Sequence, residues 1–395
     1  MKMNRAQGLL LVLGLAVSSI LTGCGNASPT SAPEAKEEQV IKIATQSPLS
    51  GSLSLEGDGI KRGAELAIKD HAEEFRSLGF SLQLSPQDDQ ADPKIGVSNA
   101  EMLIADSDVL AVIGHYNTGV AIPASAKYEE GHLAMISPAN TGVELTEGGK
   151  QTVNRLVARN DQIAPAIARY AKEQMGVTSV FYIHDKTAYG QGLADEVRKA
   201  FGNFHVTELG YEGITPGEKD YNAIVNQVIA KKPDLIFYGG MYAEVGIIAK
   251  QAKDKGYSGK IMGGEGLESK DIYKIAGDAA EGIVYATVVG DIRSREEGKK
   301  WLERYQQQFG QEPGAFSAFA YDATLVAING IKQAIQENGK QKPTREQVMK
   351  AIRATKDFKG SFTEVSFDEK GDNTYSKVYI YRYGKEQAEF VGEAQ

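Results

Sequence analysis

Three side chains stand where their types and spacing could bind a small charged molecule. Thr118 follows the apolar run of residues 109–113 and its stop at Gly114, at the head of a helical pattern that reaches Glu130. Thr141 closes the loop Ser137-Pro138-Ala139-Asn140-Thr141, which breaks a second apolar run over residues 133–136. In a parallel sheet both breaks fall at the carboxyl ends of strands, where open α/β sheets bind ligands. Free backbone N–H groups, the positive end of a helix and short hydroxyls suit a small carboxylate or phosphate rather than a polymer. Glu265, in the Gly-Gly-Glu-Gly stretch of residues 263–266, adds a carboxylate where a phosphate site needs only N–H donors. A carboxylate there suits an ammonium group. Taken singly, each threonine also reads as a helix cap or a local turn bond, and Glu265 as a solvated loop acid.

The elements that must position these residues alternate strand and helix. Residues 40–46 read as a strand and 57–71 as a helix with Ile60, Ala64, Ala67 and Ile68 on one face. The Ser- and Gly-rich loop between them can join the same sheet edge or be a plain solvated turn. Residues 80–90 are the next strand with its exit loop, Asp92-Pro93 caps a helix through Ile104, and residues 152–160 read as a strand leaving this lobe. A second series of strand and helix units runs from residue 179 to 289, its strands mostly apolar as strands covered on both faces should be. Long helical patterns follow at 296–309, 315–336 and 344–355, and residues 362–383 read as a hairpin turning on 369–373. Helices belonging to neither lobe in sequence suggest a chain that crosses between lobes more than once, and three crossovers would make a hinge.

At 395 residues the chain exceeds one core, and with 42% apolar residues two lobes can each bury enough. Lys2 and Arg5, the apolar run 9–17 and Leu-Thr-Gly-Cys at 21–24 read as a secretory signal too short to span a membrane. The small residues before Cys24, the only cysteine, resemble a bacterial lipobox, which implies cleavage before Cys24 and lipidation of its thiol. Without Lys2 and Arg5 the 44 basic side chains become 42 against 52 acidic ones, a net charge of −10 that argues against nucleic acid as a partner. Residues 25–39 are rich in Ser, Pro, Ala and Glu and should be a flexible tether reaching roughly 20 Å.

Catalytic motifs are missing: the sequence has no G-x-S-x-G elbow, H-E-x-x-H or P-loop, and its five histidines are scattered without metal-ligand spacing. No catalytic residue, metal or cofactor is expected. GHYNTGVAIPAS, SPANTGVELT, HDKTAYGQGLA, GITPGEKDYNAIV, FYGGMYAEVG, GGEG and GAF, in this order, resemble the Leu/Ile/Val-binding proteins, type I periplasmic binding proteins that feed branched-chain amino-acid ABC importers. The resemblance runs from about residue 41 to about residue 383. It implies an α/β fold of two βαβ lobes with parallel sheets: a signal at 1–23, a tether at 24–39, one lobe from 40–158 with 290–366, the other from 159–289 with 367–395. It further implies that the Thr118 and Thr141 hydroxyls and the Ala139 backbone hold an α-carboxylate and that Glu265 takes the α-ammonium. Tyr189 matches the second lobe's aromatic, and Tyr116 and Phe316 match positions near the side-chain pocket.

Two positions depart from that pattern. The best-known relatives carry aromatic residues where Glu56 and Met241 stand here. Methionine can reshape an apolar pocket. Glu56 either faces water, with Leu53 or Leu55 filling the pocket, or meets a ligand that brings a donor. The expectation is a monomeric, lipid-anchored, extracytoplasmic binding protein that hands a free amino acid to a permease and ATPase complex. A ligand-sensing domain of amidase-regulator or receptor type is the rival reading, and a secreted enzyme a more distant one. Cys24→Ser should move the protein from the membrane fraction to the soluble one; a variant that stays membrane-bound would show that the cysteine is not the anchor.

Overall fold

Parallel strands feed both halves of the molecule. The computed structural model describes residues 38–394; the expected signal segment, Cys24 and nearly all of the expected tether lie outside them. In the first half β1 (Gln39–Ser47), β2 (Phe80–Asp88), β3 (Val109–Gly114), β4 (Ala134–Ser137) and β5 (Val153–Arg155) form one sheet in the order β2-β1-β3-β4-β5, with every pair parallel. Its helices are α1 (Ser54–Ser77), α2 (Pro93–Ala105), α3 (Thr118–Glu130) and the short α4 (Glu144–Glu147). All residues of β3 and β4 are buried, because helices cover both faces of the sheet. As expected, Asp92 caps α2, its carboxylate accepting from Lys94 N–H at 2.7 Å with Pro93 at the first helical position.

The second half carries α5 (Asn160–Glu173), β6 (Ser179–His184), α6 (Ala188–Asn203), β7 (Thr207–Gly213), α7 (Asn222–Lys231), β8 (Leu235–Gly239), α8 (Tyr242–Asp254), β9 (Lys260–Gly263), α9 (Ile272–Ala276) and β10 (Val284–Thr287). The chain then returns to the first sheet's side with α10 (Glu296–Phe309), α11 (Ser317–Glu337), α12 (Arg345–Arg353) and the small pair β11 (Phe358–Lys359) and β12 (Glu364–Val365). It ends in β13 (Tyr379–Tyr383) and β14 (Ala388–Glu393), which extend the second sheet antiparallel, in the order β14-β13-β10-β9-β8-β6-β7. The path crosses between the two sheets three times.

Two sequence expectations give way here. The hairpin over residues 362–383 does not form: β12 pairs with β11, β13 pairs with β10 and β14, and only the bridge Phe367↔Asn373 remains at the expected turn. The alternating pattern of this stretch is served by two different sheets. Of residues 152–160, only Val153–Arg155 pair in the sheet; the rest is a crossover ending at the start of α5.

Close helix packing sets the edge of the cleft. Gly63 of α1 lies against the start of α11, so close that a Cβ there would stand 2.1 Å from the Ser317 carbonyl oxygen. Glycine thus lets α11 press onto α1 and brings the residues before α11 to the first turn of α1.

The crossovers are held by a buried ion network. Arg155, fully buried, donates to Asp372 at 2.6 Å and to the carbonyls of Asn140 and Gly142 at 3.1 and 2.7 Å. Arg159 reaches the other Asp372 oxygen at 3.1 Å, and Asn373 donates to the Leu156 carbonyl at 3.1 Å. The first and third crossovers are thereby tied to each other and to the loop carrying Thr141. Asp372→Ala would leave Arg155 buried without its carboxylate, a change that costs about 3–5 kcal/mol. Urea denaturation should show a loss of that size; a loss under about 1 kcal/mol would mean that the network tolerates the missing charge.

Candidate functional site

In each sheet the strand order reverses once, between β1 and β3 and between β6 and β8, and the crevice at such a reversal is where open α/β sheets bind ligands. The loops and helix starts beyond these carboxyl ends carry Glu56, Tyr116, Thr118, Ala139 and Thr141 from the first sheet and Tyr189, Met241 and Glu265 from the second. Phe316 joins them from the residue before α11. The two sets of loops touch. Thr141 Oγ1 donates to Glu265 Oε1 at 2.8 Å, the Tyr242 hydroxyl donates to the Ser52 carbonyl at 3.1 Å, and the Tyr116 hydroxyl lies 3.9 Å from Met241 Sδ.

Thr118 does not cap α3 as its position in sequence suggests. Asn117 is the N-cap, and Thr118 is the first helical residue. Its hydroxyl oxygen is 1% exposed by residue and finds no hydrogen-bond partner among the described residues. It stands beside the N–H groups and positive end of a 13-residue helix, a place suited to an anion. The β4 loop closes on it from the other side. Asn140 pins this corner, accepting from His115 N–H at 3.1 Å and donating to the Tyr116 carbonyl at 2.9 Å. The Ala139 N–H bonds Ser137 Oγ at 3.3 Å, so Ala139 offers its carbonyl rather than its amide.

Glu265 is not a solvated loop acid: it is 4% exposed. Thr141 holds one carboxylate oxygen, and the other has no partner among the described residues. The Tyr189 hydroxyl stands beside it, accepting from Gly266 N–H at 2.9 Å. A Cβ at Gly266 would meet the Gly240 carbonyl at 2.4 Å and the Tyr189 ring at 2.9 Å, which explains the glycine. Burial pushes the Glu265 carboxyl up to about 7, against its own backbone N–H, Thr141 and Tyr189, which favour ionisation. An arriving ammonium would hold it charged. Because Thr141 spends its hydroxyl proton on Glu265, this hydroxyl has only lone pairs left for a ligand, unlike the carboxylate donor that the sequence suggests.

Tyr116 and Phe316, both buried, meet edge to face with ring centroids 5.9 Å apart, and Met241 completes an apolar wall across the cleft. Glu56 stands at that wall rather than in water. It is 2% exposed, and its Oε2 accepts from Ala315 N–H at 3.1 Å. Burial raises its carboxyl to about 7. Sequence reasoning missed Tyr242, which fastens the cleft, and Glu268, whose carboxylate accepts from Thr287 at 2.7 Å and is also raised by burial to about 7. Glu268 lies three residues beyond Glu265, and its acidity in so short a stretch was the available signal. Among the described residues no group of three or more His, Cys, Asp or Glu is set to hold a metal ion.

One parallel and one mostly parallel sheet, three crossovers and a cleft lined by both define a two-lobed binding protein. The periplasmic binding protein family model matches residues 40–388, and the chain belongs to that family, as a type I member. Leu/Ile/Val-binding protein homolog 1 of Brucella abortus is 33% identical over 338 residues, covering 86% of this chain and 89% of that protein. The Leu/Ile/Val-binding protein BraC3 of Rhizobium johnstonii is 30% identical over 343 residues, covering 87% and 91%. The leucine-binding protein LivK of Thermotoga maritima superposes with a TM-score of 0.82 at 25% identity, covering 90% of this chain and 99% of that structure.

A carboxyl raised in the folded state weakens folding only at pH values where it is ionised in the unfolded chain. For Glu56 the handicap is absent below the ordinary 4.5 and complete above about 7. Glu56→Gln removes it, and glutamine can still accept from Ala315. The stability of the variant relative to the ligand-free parent should therefore rise by up to about 3 kcal/mol as pH climbs through this window. Urea denaturation across pH would read this; a flat difference would mean that Glu56 is well solvated.

Proposed function

We propose that this chain is the extracytoplasmic binding component of an amino-acid importer, held to the membrane through lipidated Cys24 and delivering its ligand to a permease and ATPase complex. The observation that carries the reading is a matched pair of buried polar atoms without partners, Thr118 Oγ1 on the first sheet's side and Glu265 Oε2 on the second's. A hydroxyl at a helix N-terminus donates to a carboxylate, and a carboxylate accepts from an ammonium. An α-amino acid supplies both, with its side chain directed to Tyr116, Phe316 and Met241. Its branched-chain or related character rests on the relatives' names.

Capture follows from this division. Carboxylate donors lie on one side and the ammonium acceptor on the other, so only the state with the loops in contact makes every bond. The ligand binds that state better and shifts the population toward it. The Thr141–Glu265 bond and the Tyr242 contact with Ser52 define the same state without requiring any particular side chain.

Charge-assisted bonds of this kind contribute about 1.5–3 kcal/mol each, so Thr118→Ala and Glu265→Ala should each lose about ten- to a hundred-fold in affinity. Calorimetric titration of parent and variants against the common amino acids reads this directly. Unchanged affinity in both variants would overturn the assignment.

A further inference from the structure

The cleft holds more negative charge than one ammonium group can answer. Glu56 and Glu265 are 2% and 4% exposed, and Glu268 is half-buried and accepts from Thr287 of β10 at 2.7 Å. None of the three is in an ion pair among the described residues, whereas Asp58 and Asp372 each are. The charges of Glu56 and Glu265 both bear on Glu268, and those of all three on Tyr116, whose hydroxyl lies 3.9 Å from Met241 Sδ across the cleft. The groups facing them bring little compensation. Asp58, on α1, is already paired with Lys61 and Arg62; Asp271 is paired with Lys274 and adds to the negative field at Glu56. Lys270 is exposed and weak in its effect, and the Arg293 side chain is 66% exposed and turned toward Glu312. The partnerless Glu265 Oε2 is a second sign that this space is shaped for donors.

We propose that the ligand is an α-amino acid whose side chain ends in a second cationic nitrogen, an ammonium or guanidinium, received by Glu56 and Glu268. The inference rests on the amino-acid reading above and adds the substrate class to it. Tyr116, Phe316 and Met241 supply an apolar surface for a straight methylene stem, and Glu56, bonded to the Ala315 N–H one residue before Phe316, offers an acid beside it. Glu56 has one oxygen committed to Ala315 N–H, which fixes the carboxylate and leaves its other oxygen to a ligand donor. A buried carboxylate without a cation is costly, and a cationic side chain removes that cost for both acids. A purely aliphatic side chain leaves it in place.

The test is calorimetric titration of the parent, Glu56→Gln and Glu268→Gln with ornithine, lysine, arginine, glutamine and leucine, with thermal melts to confirm that each variant is folded. At least one of the three basic amino acids should bind the parent tenfold or more tighter than leucine and glutamine. Glu56→Gln and Glu268→Gln should each weaken that ligand at least tenfold while leaving leucine unchanged or tighter. If leucine or glutamine binds best, and Glu56→Gln leaves it unchanged, the cationic class is wrong and the amino-acid reading stands. If none of the five binds the folded parent, both readings fall.

Discussion

The bond from Thr141 to Glu265 joins two loops that belong to different sheets, and the geometry of the cleft depends on it. It fixes one carboxylate oxygen, keeps the other directed into the space between the lobes, and does so in surroundings where a charged group is expensive. A carboxylate held this way is neither fully ionised nor safely neutral near pH 7, which makes it responsive to an incoming cation. Everything around it preserves that condition: the flanking glycines admit Tyr189, and Tyr242 fastens the far edge.

The Thr141 loop is itself held from behind. Arg155 grips the carbonyls on either side of Thr141 and answers to Asp372 on the third crossover, so the residues that set the hinge also set the binding loop. A change in the relative angle of the lobes must pass through Arg155 or leave it intact as a pivot. Breaking a buried pair of this kind costs far more than rotating a few backbone torsions.

Glu56 stands buried at the apolar wall of the cleft. Gly59 and Gly63 let the start of α11 lie close against α1, and the Ala315 N–H just before that helix bonds the carboxylate at 3.1 Å.

Sequence alone settled what is local. The alternation of apolar strands with helices, the capping of α2 by Asp92-Pro93, the long helices from residue 296 and the loops that break at Gly114 and Ser137 all follow from periodicity and turn chemistry within a few residues. Turn chemistry also set Thr118 and Thr141 at strand ends, while Tyr189 and Glu265 entered through the resemblance to the Leu/Ile/Val-binding proteins. Tertiary structure decided the rest. Whether Glu56 faced water, whether Thr118 capped its helix, where Thr141 sent its proton and which sheets received the two halves of the apparent hairpin depend on partners far away in the chain; Thr141 and Glu265 are separated by 124 positions. Periodicity reports which face of one element is apolar. It does not report which loop of another lobe will arrive there, and hydrogen bonds and burial at a cleft are set by that arrival.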